Sequence, residues 1–179
     1  MEQKFTVSIF TENEVGLLQR VSGIFTRRHI NIESITSSNS EIENVHRYTI
    51  VICEELDLVK KLVLQLEKQV DVYKAFYHIE EDTIFQEVAL FKLATNILES
   101  GMRLEKILRE NHARILSIEK EFLIIEQTGQ EHEINTLFKK LKSFDILEFA
   151  RSGRVAITKP MKTVQKYIED LQLEKAEDS

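Results

Sequence analysis

The side chains best able to do chemistry in this 179-residue chain are five histidines, one cysteine and thirty carboxylates. Their spacing argues against catalysis. His29, His46, His78, His112 and His132 never stand three or four residues apart, and neither CxxC nor HExxH occurs, so no metal site is expected. Cys53 lies in the apolar stretch VHRYTIVIC, where it reads as a small core residue with no base legible beside it. Glu54-Glu55, Glu80-Glu81-Asp82 and Glu99 fall at the ends of elements. They read as solvated charges, because an acid–base pair needs surroundings that separate its two pKa values. Neither GxGxxG nor GxxxxGK[ST] is present, so no catalytic residue is assigned.

What remains is the corner TENEVGLLQRVSGIF, Thr11 to Phe25. A strand ends at Thr11, Asn13 is placed to cap a helix, and the helix is expected to begin near Val15. Unpaired backbone N–H groups at a helix start, with the helix dipole behind them, suit a carboxylate. Gly16 puts no side chain in the way of such a ligand. The same glycine would equally serve close packing of the helix on a sheet, and residue chemistry leaves both readings open.

Composition narrows the partners. A net charge of −6 opposes nucleic acid or an anionic membrane, since counterion-release binding needs a clustered basic surface. Arg27-Arg28 and Lys139-Lys140 are pairs, not runs. A single cysteine excludes an intrachain disulfide and fits a reducing compartment. No apolar run approaches the roughly 20 residues that span a bilayer. The start, MEQKFTVSIF, lacks the charged, apolar and small-residue order of a secretory signal, so a cytoplasmic location is expected.

These residues must be positioned by two repeats of one element order. FTVSIFT alternates as a half-buried strand, with Phe5, Val7 and Ile9 on one face and Thr6 and Ser8 on the other. Leu17, Leu18, Val21, Ile24 and Phe25 then form a helical stripe. INIESIT, from Ile30 to Thr36, is expected as a strand, SSNSEIEN as a turn, and Val45–Cys53 as a strand. Asp57 is placed to cap a second helix bearing Leu58, Val59, Leu62, Val63 and Leu66, and Val70–Ile79 completes the unit. After the polar junction EEDT the order returns: strand from Phe85, helix to Asn111, two strands around the turn EKE, helix to Lys142, and a strand over Ile146–Ile157. The expected fold class is α+β, two tandem ferredoxin-like βαββαβ units. The expected domains are 1–80 and 84–159, with 160–179 as a helical or mobile tail after Pro160. The third strand offers a single tyrosine, Tyr48, so the aromatic signature of the RNA-recognition module is missing.

The run FTVSIFTENEVGLLQRVSGIFTRRHINIESIT resembles the opening of an ACT domain, an amino-acid-binding module. NEVGLLQRVSGIF paired with NIESIT, followed by VDVYK and EFARSGRVAI, resembles the regulatory (small) subunit of acetolactate synthase over nearly the whole chain. That resemblance implies an N-terminal ACT domain that forms a homodimer edge to edge and binds valine, or a related branched-chain amino acid, at the interface. It implies a partner, the catalytic (large) subunit, which carries thiamine diphosphate, magnesium and FAD; no cofactor is expected in this chain. It also implies activation of that subunit and feedback inhibition of it. Carried onto this sequence, Asn13, Glu14, Val15, Gly16, Leu17 and Leu18 would line one side of the effector pocket. Asn31 and Ile32 would come from the other protomer. The family commonly has glycine where this chain has His29, and an apolar residue where it has Arg154. Two rivals are a free-standing tandem ACT-type sensor of another enzyme or a transcription pathway, and an acylphosphatase-like hydrolase. The hydrolase needs an arginine in the loop after the first strand, and TENEVG has none.

Overall fold

The structure, a computed structural model, describes residues 2–159. The helix or mobile tail expected over 160–179 lies outside the described residues. The chain forms β1 (Glu2–Glu12), α1 (Leu17–Arg27), β2 (Ser34–Asn39), β3 (Val45–Glu55), α2 (Leu56–Glu67) and β4 (Val72–His78). It continues with β5 (Thr83–Ala94), α3 (Gly101–Glu110), β6 (Arg114–Ile118), β7 (Phe122–Gly129), α4 (Glu131–Leu141), β8 (Ile146–Arg151) and β9 (Val155–Thr158). Two compact units result: one holds the described residues up to Ile84 and from Arg154 onward, the other Phe85–Gly153.

In the first unit the antiparallel sheet runs β2-β3-β1-β4. The two helices lay Val21, Ile24 and Phe25 of α1, and Val59, Leu62 and Leu66 of α2, into one core with Phe5, Val7 and Ile9 of β1. The helical stripes and the strand alternation expected from the sequence meet there, and each fully buried aliphatic side chain contributes about 1.5–3 kcal/mol. The second unit repeats the plan, with the path β6-β7-β5-β8 and a core built on Phe91, Leu93, Leu123, Ile125, Ile134 and Leu137. β9 pairs with β5, whose first two residues, Thr83 and Ile84, belong to the first unit. This is the α+β, tandem ferredoxin-like architecture expected from the sequence.

Several local expectations are corrected. β2 starts at Ser34, not Ile30, and runs into the serines expected as a turn. Ile30 is used by the end of α1: its N–H donates to the Phe25 carbonyl at 3.0 Å while His29 N–H donates to that of Thr26 at 3.0 Å. Those two bonds make a Schellman motif, which requires a left-handed residue, and His29 supplies it at φ 57°. α3 ends the same way on His112, at φ 52°, with Ala113 N–H donating to the Leu108 carbonyl at 2.9 Å. α2 is entered from Glu55, so Asp57 falls inside the first turn, where its charge faces the dipole favourably. The single strand expected over Ile146–Ile157 is two, because Ser152 turns the chain: its N–H donates to the Val88 carbonyl and its hydroxyl accepts from Val88 N–H, both at 2.9 Å.

β1 is buried on both faces, not one: Thr6 and Ser8 are as enclosed as Phe10. On that side of the sheet Arg47 of β3 is tied to the segment Arg154–Ile157 by a 2.6 Å bond from Nη2 to the Ala156 carbonyl. Cys53, expected in the core, is exposed, since it lies near the end of β3 opposite Lys4.

Candidate functional site: the corner between β1 and α1

The corner is built by a change of direction. β1 ends at Glu12, and α1 starts at Leu17 from an N-cap that is Gly16, not Asn13. Gly16 has φ 89° and ψ −8°, left-handed backbone that a side-chain-bearing residue enters at a cost of about 1–2 kcal/mol. A Cβ on it would meet nothing within 4 Å among the described residues, so close packing on the sheet is not its role. Arg20 N–H makes the first helical bond, 3.1 Å to the Gly16 carbonyl, and no side chain caps the start. The N–H groups of the first turn, from Leu17 on, therefore have no helical acceptor.

Around this start the predicted residues divide. Asn13 is exposed, and its Nδ2 donates at 3.4 Å to Oδ1 of Asn39 on β2. That leaves it a tie between the corner and the sheet edge. Val15 is wholly exposed and Leu18 is 48% exposed, so the corner presents two apolar side chains to its surroundings. Leu17 is only 2% exposed. Glu14 is exposed and converges with Glu12 and Asp71, with ligand oxygens within 4.8 Å of one another. Arg20 is ion-paired to Asp71. Burial first, then the charge and hydrogen bond of Glu12 and the charge of Glu14, push the Tyr73 phenol above its ordinary value.

Asn31 and Ile32 lie past the other end of α1, Asn31 exposed and Ile32 packed against the first core. An 11-residue helix is roughly 16 Å long at 1.5 Å per residue. Within one chain, then, the Gly16 corner and Asn31 are held apart at opposite ends of a rigid element.

Sequence reasoning missed Glu12, Arg20, Asp71 and Tyr73 as parts of the corner. The signal was VDVYK: β4 lies beside β1, and Glu12 N–H donates to the Asp71 carbonyl at 3.0 Å. Sheet order, which motif spacing does not contain, brings them there.

Comparison with known proteins matches both units separately. A family described as "AHAS small subunit-like ACT domain" matches residues 7–74, and one described as "Small subunit of acetolactate synthase" matches residues 86–160. The chain is 32% identical over 158 residues to a probable acetolactate synthase small subunit of Archaeoglobus fulgidus, covering 87% of this chain and 97% of that one. It is 31% identical to the acetolactate synthase small subunit of Bacillus subtilis, covering 87% and 91%. The solved acetolactate synthase small subunit of Thermotoga maritima superimposes with a TM-score of 0.80 at 26% identity, covering 89% of this chain and 99% of that one. With both units matched and nearly the full length of these relatives spanned, the chain belongs to the acetolactate synthase small-subunit family.

Proposed function

We propose that this chain is the non-catalytic regulatory subunit of a cytoplasmic acetolactate synthase, activating a separate catalytic subunit and imposing feedback inhibition by valine or a related branched-chain amino acid. The partner carries the thiamine diphosphate, magnesium and FAD; this chain carries the effector. Residues 1–80 act as the ACT domain and 84–159 as the second domain. Two chains pair through the first domain, each β2 edge meeting its copy.

The observation that carries this reading is the corner itself. Its free N–H groups and left-handed Gly16 suit the carboxylate of an amino acid. The carboxylates of Glu12, Glu14 and Asp71 suit its ammonium. Val15 and Leu18 suit an aliphatic side chain. The length of α1 supports a pocket shared by two chains, because Asn31 of the same chain is a helix length away. Selectivity in such a pocket is modest: one methylene in an apolar site is worth about 1–3 kcal/mol, so valine, leucine and isoleucine differ by tens of fold.

Mixed dimers test the shared pocket. A Gly16→Asp chain and an Asn31→Ala chain are each expected to bind valine poorly. Refolded together, half of the dimers pair one of each, and by two-fold symmetry each such dimer has one intact pocket, about a quarter of the wild-type sites. Calorimetry that recovers no sites from the mixture contradicts a cross-chain pocket.

A further inference from the structure

The first unit also holds a cleft of about 220 Å³ on the sheet face that its helices do not cover. The ladder places Ser8, Thr49 and Thr36 on one rung and Phe10, Arg47 and Ser38 on the next. Arg154 to Ile157 form the opposing wall. Two guanidiniums line this space. Arg154 is 3% exposed and donates from Nη2 to Oε1 of Glu80 at 2.7 Å. Arg47 has its carbon 5.3 Å over the Phe10 ring and donates from Nη2 to the Ala156 carbonyl.

Arg47 is the more informative of the two. Its Nε is enclosed and has no hydrogen-bond partner among the described residues, and the same holds for the hydroxyl of Thr36 in the same lining. Burial pushes the Arg47 pKa below its ordinary value, with the charge of Glu41 opposing. Glu41 lines the same cleft and is exposed, so this counter-charge to the half-buried guanidinium is in contact with solvent. A half-buried guanidinium with an enclosed, idle N–H and a solvent-exposed anion as its counter-charge is in a costly state. A water molecule would accept the hydrogen bond and leave the charge uncompensated. An anion with several acceptor oxygens answers both, and a planar fork with a nearby hydroxyl is the usual receptor for one.

We propose that this cleft binds a small oxyanion, a carboxylate or a phosphate, held by Arg47 with the Thr36 hydroxyl donating to it and Arg154 adding charge from the opposite wall. The cleft is distinct in its lining from the Gly16 corner, to which Asn39 of the lining is joined by its bond from Asn13.

The test is a titration of the full chain with inorganic phosphate and, separately, with acetate, at constant ionic strength set by chloride. The arginine Nε–H resonances are followed by NMR. The expected result is a saturable shift of the Arg47 Nε–H with at least one of the two anions, and the one that saturates identifies the source. Arg47→Gln is expected to weaken binding by about tenfold or more, the worth of a charge-assisted hydrogen bond. Thr36→Val should weaken it less, and Glu41→Gln, at an exposed position of the lining, should tighten it several-fold. If Arg47→Gln fails to fold, the opposite signs of the other two variants carry the test. Shifts that grow linearly and are matched by chloride overturn the proposal, as does a folded Arg47→Gln chain that binds like the wild type.

Discussion

Replacing Gly16 with asparagine and with aspartate separates what its backbone does from what its missing side chain does. Both residues must enter φ 89°, and asparagine is among the few that visit that region. The open space around the position adds no clash, so each variant should lose about 1 kcal/mol of stability from backbone strain alone. The aspartate charge sits at a helix start, where the dipole returns about 0.3–1 kcal/mol, against repulsion from the Glu12, Glu14 and Asp71 cluster, so Gly16→Asp and Gly16→Asn should differ little in stability. Effector binding should separate them. Two carboxylates about 5 Å apart repel by about 3 kcal/mol at an effective dielectric of 20, and by about 0.8 kcal/mol if fully screened. Valine should therefore bind Gly16→Asp between about fourfold and about a hundredfold more weakly than Gly16→Asn. Urea denaturation gives the stabilities and isothermal calorimetry the affinities. Equal valine affinity in the two variants refutes the placement of the effector carboxylate at these amides.

Asn31→Ala should weaken valine binding with no change in the urea midpoint, because the side chain is exposed; calorimetry beside denaturation checks both halves. His29→Gly and His112→Gly should each stabilise the chain by about 1 kcal/mol, since glycine relieves the left-handed strain at the two Schellman positions. The gain reads as a higher urea midpoint at unchanged slope. His78 supplies a pH dependence. Burial depresses its pKa from 6.5, with Asp82 opposing and Arg47 reinforcing. Below 6.5 the unfolded chain holds more protons at this site than the folded one, so stability should fall as pH drops from 6.5 through the depressed value. His78→Gln should remove that part of the acid sensitivity, as seen by comparing the two chains' urea midpoints across the window.

The element order and the two cores were legible because both rest on periodicity. Phe5, Val7 and Ile9 alternate, and Val59, Leu62, Val63 and Leu66 fall on one helical stripe; all are buried. Boundaries were less legible where a residue serves two purposes. Ile30 looks like the start of a strand, yet its backbone closes α1 and its side chain joins the core beside Phe25. The left-handed demand at His29 was readable from the glycine that the family has there, whereas Gly16 itself gave no sign of its own φ. Long-range facts were not legible at all. The tie of Arg47 to the Arg154–Ile157 segment, and the convergence of Asp71 with Glu12 and Glu14, depend on strand order and on a late segment returning to the first unit. Neither leaves a mark within any short window of residues.

If this chain is a regulatory subunit, it controls acetolactate formation carried out by another subunit. The direct measurement is the rate of acetolactate formation by a purified catalytic subunit, alone, with this chain, and with this chain plus valine. The expected result is little change from valine on the catalytic subunit alone, a higher rate when this chain is added, and loss of that rate as valine is titrated in. A rate indifferent to this chain, both with and without valine, would show that the chain is not a regulatory subunit of that enzyme.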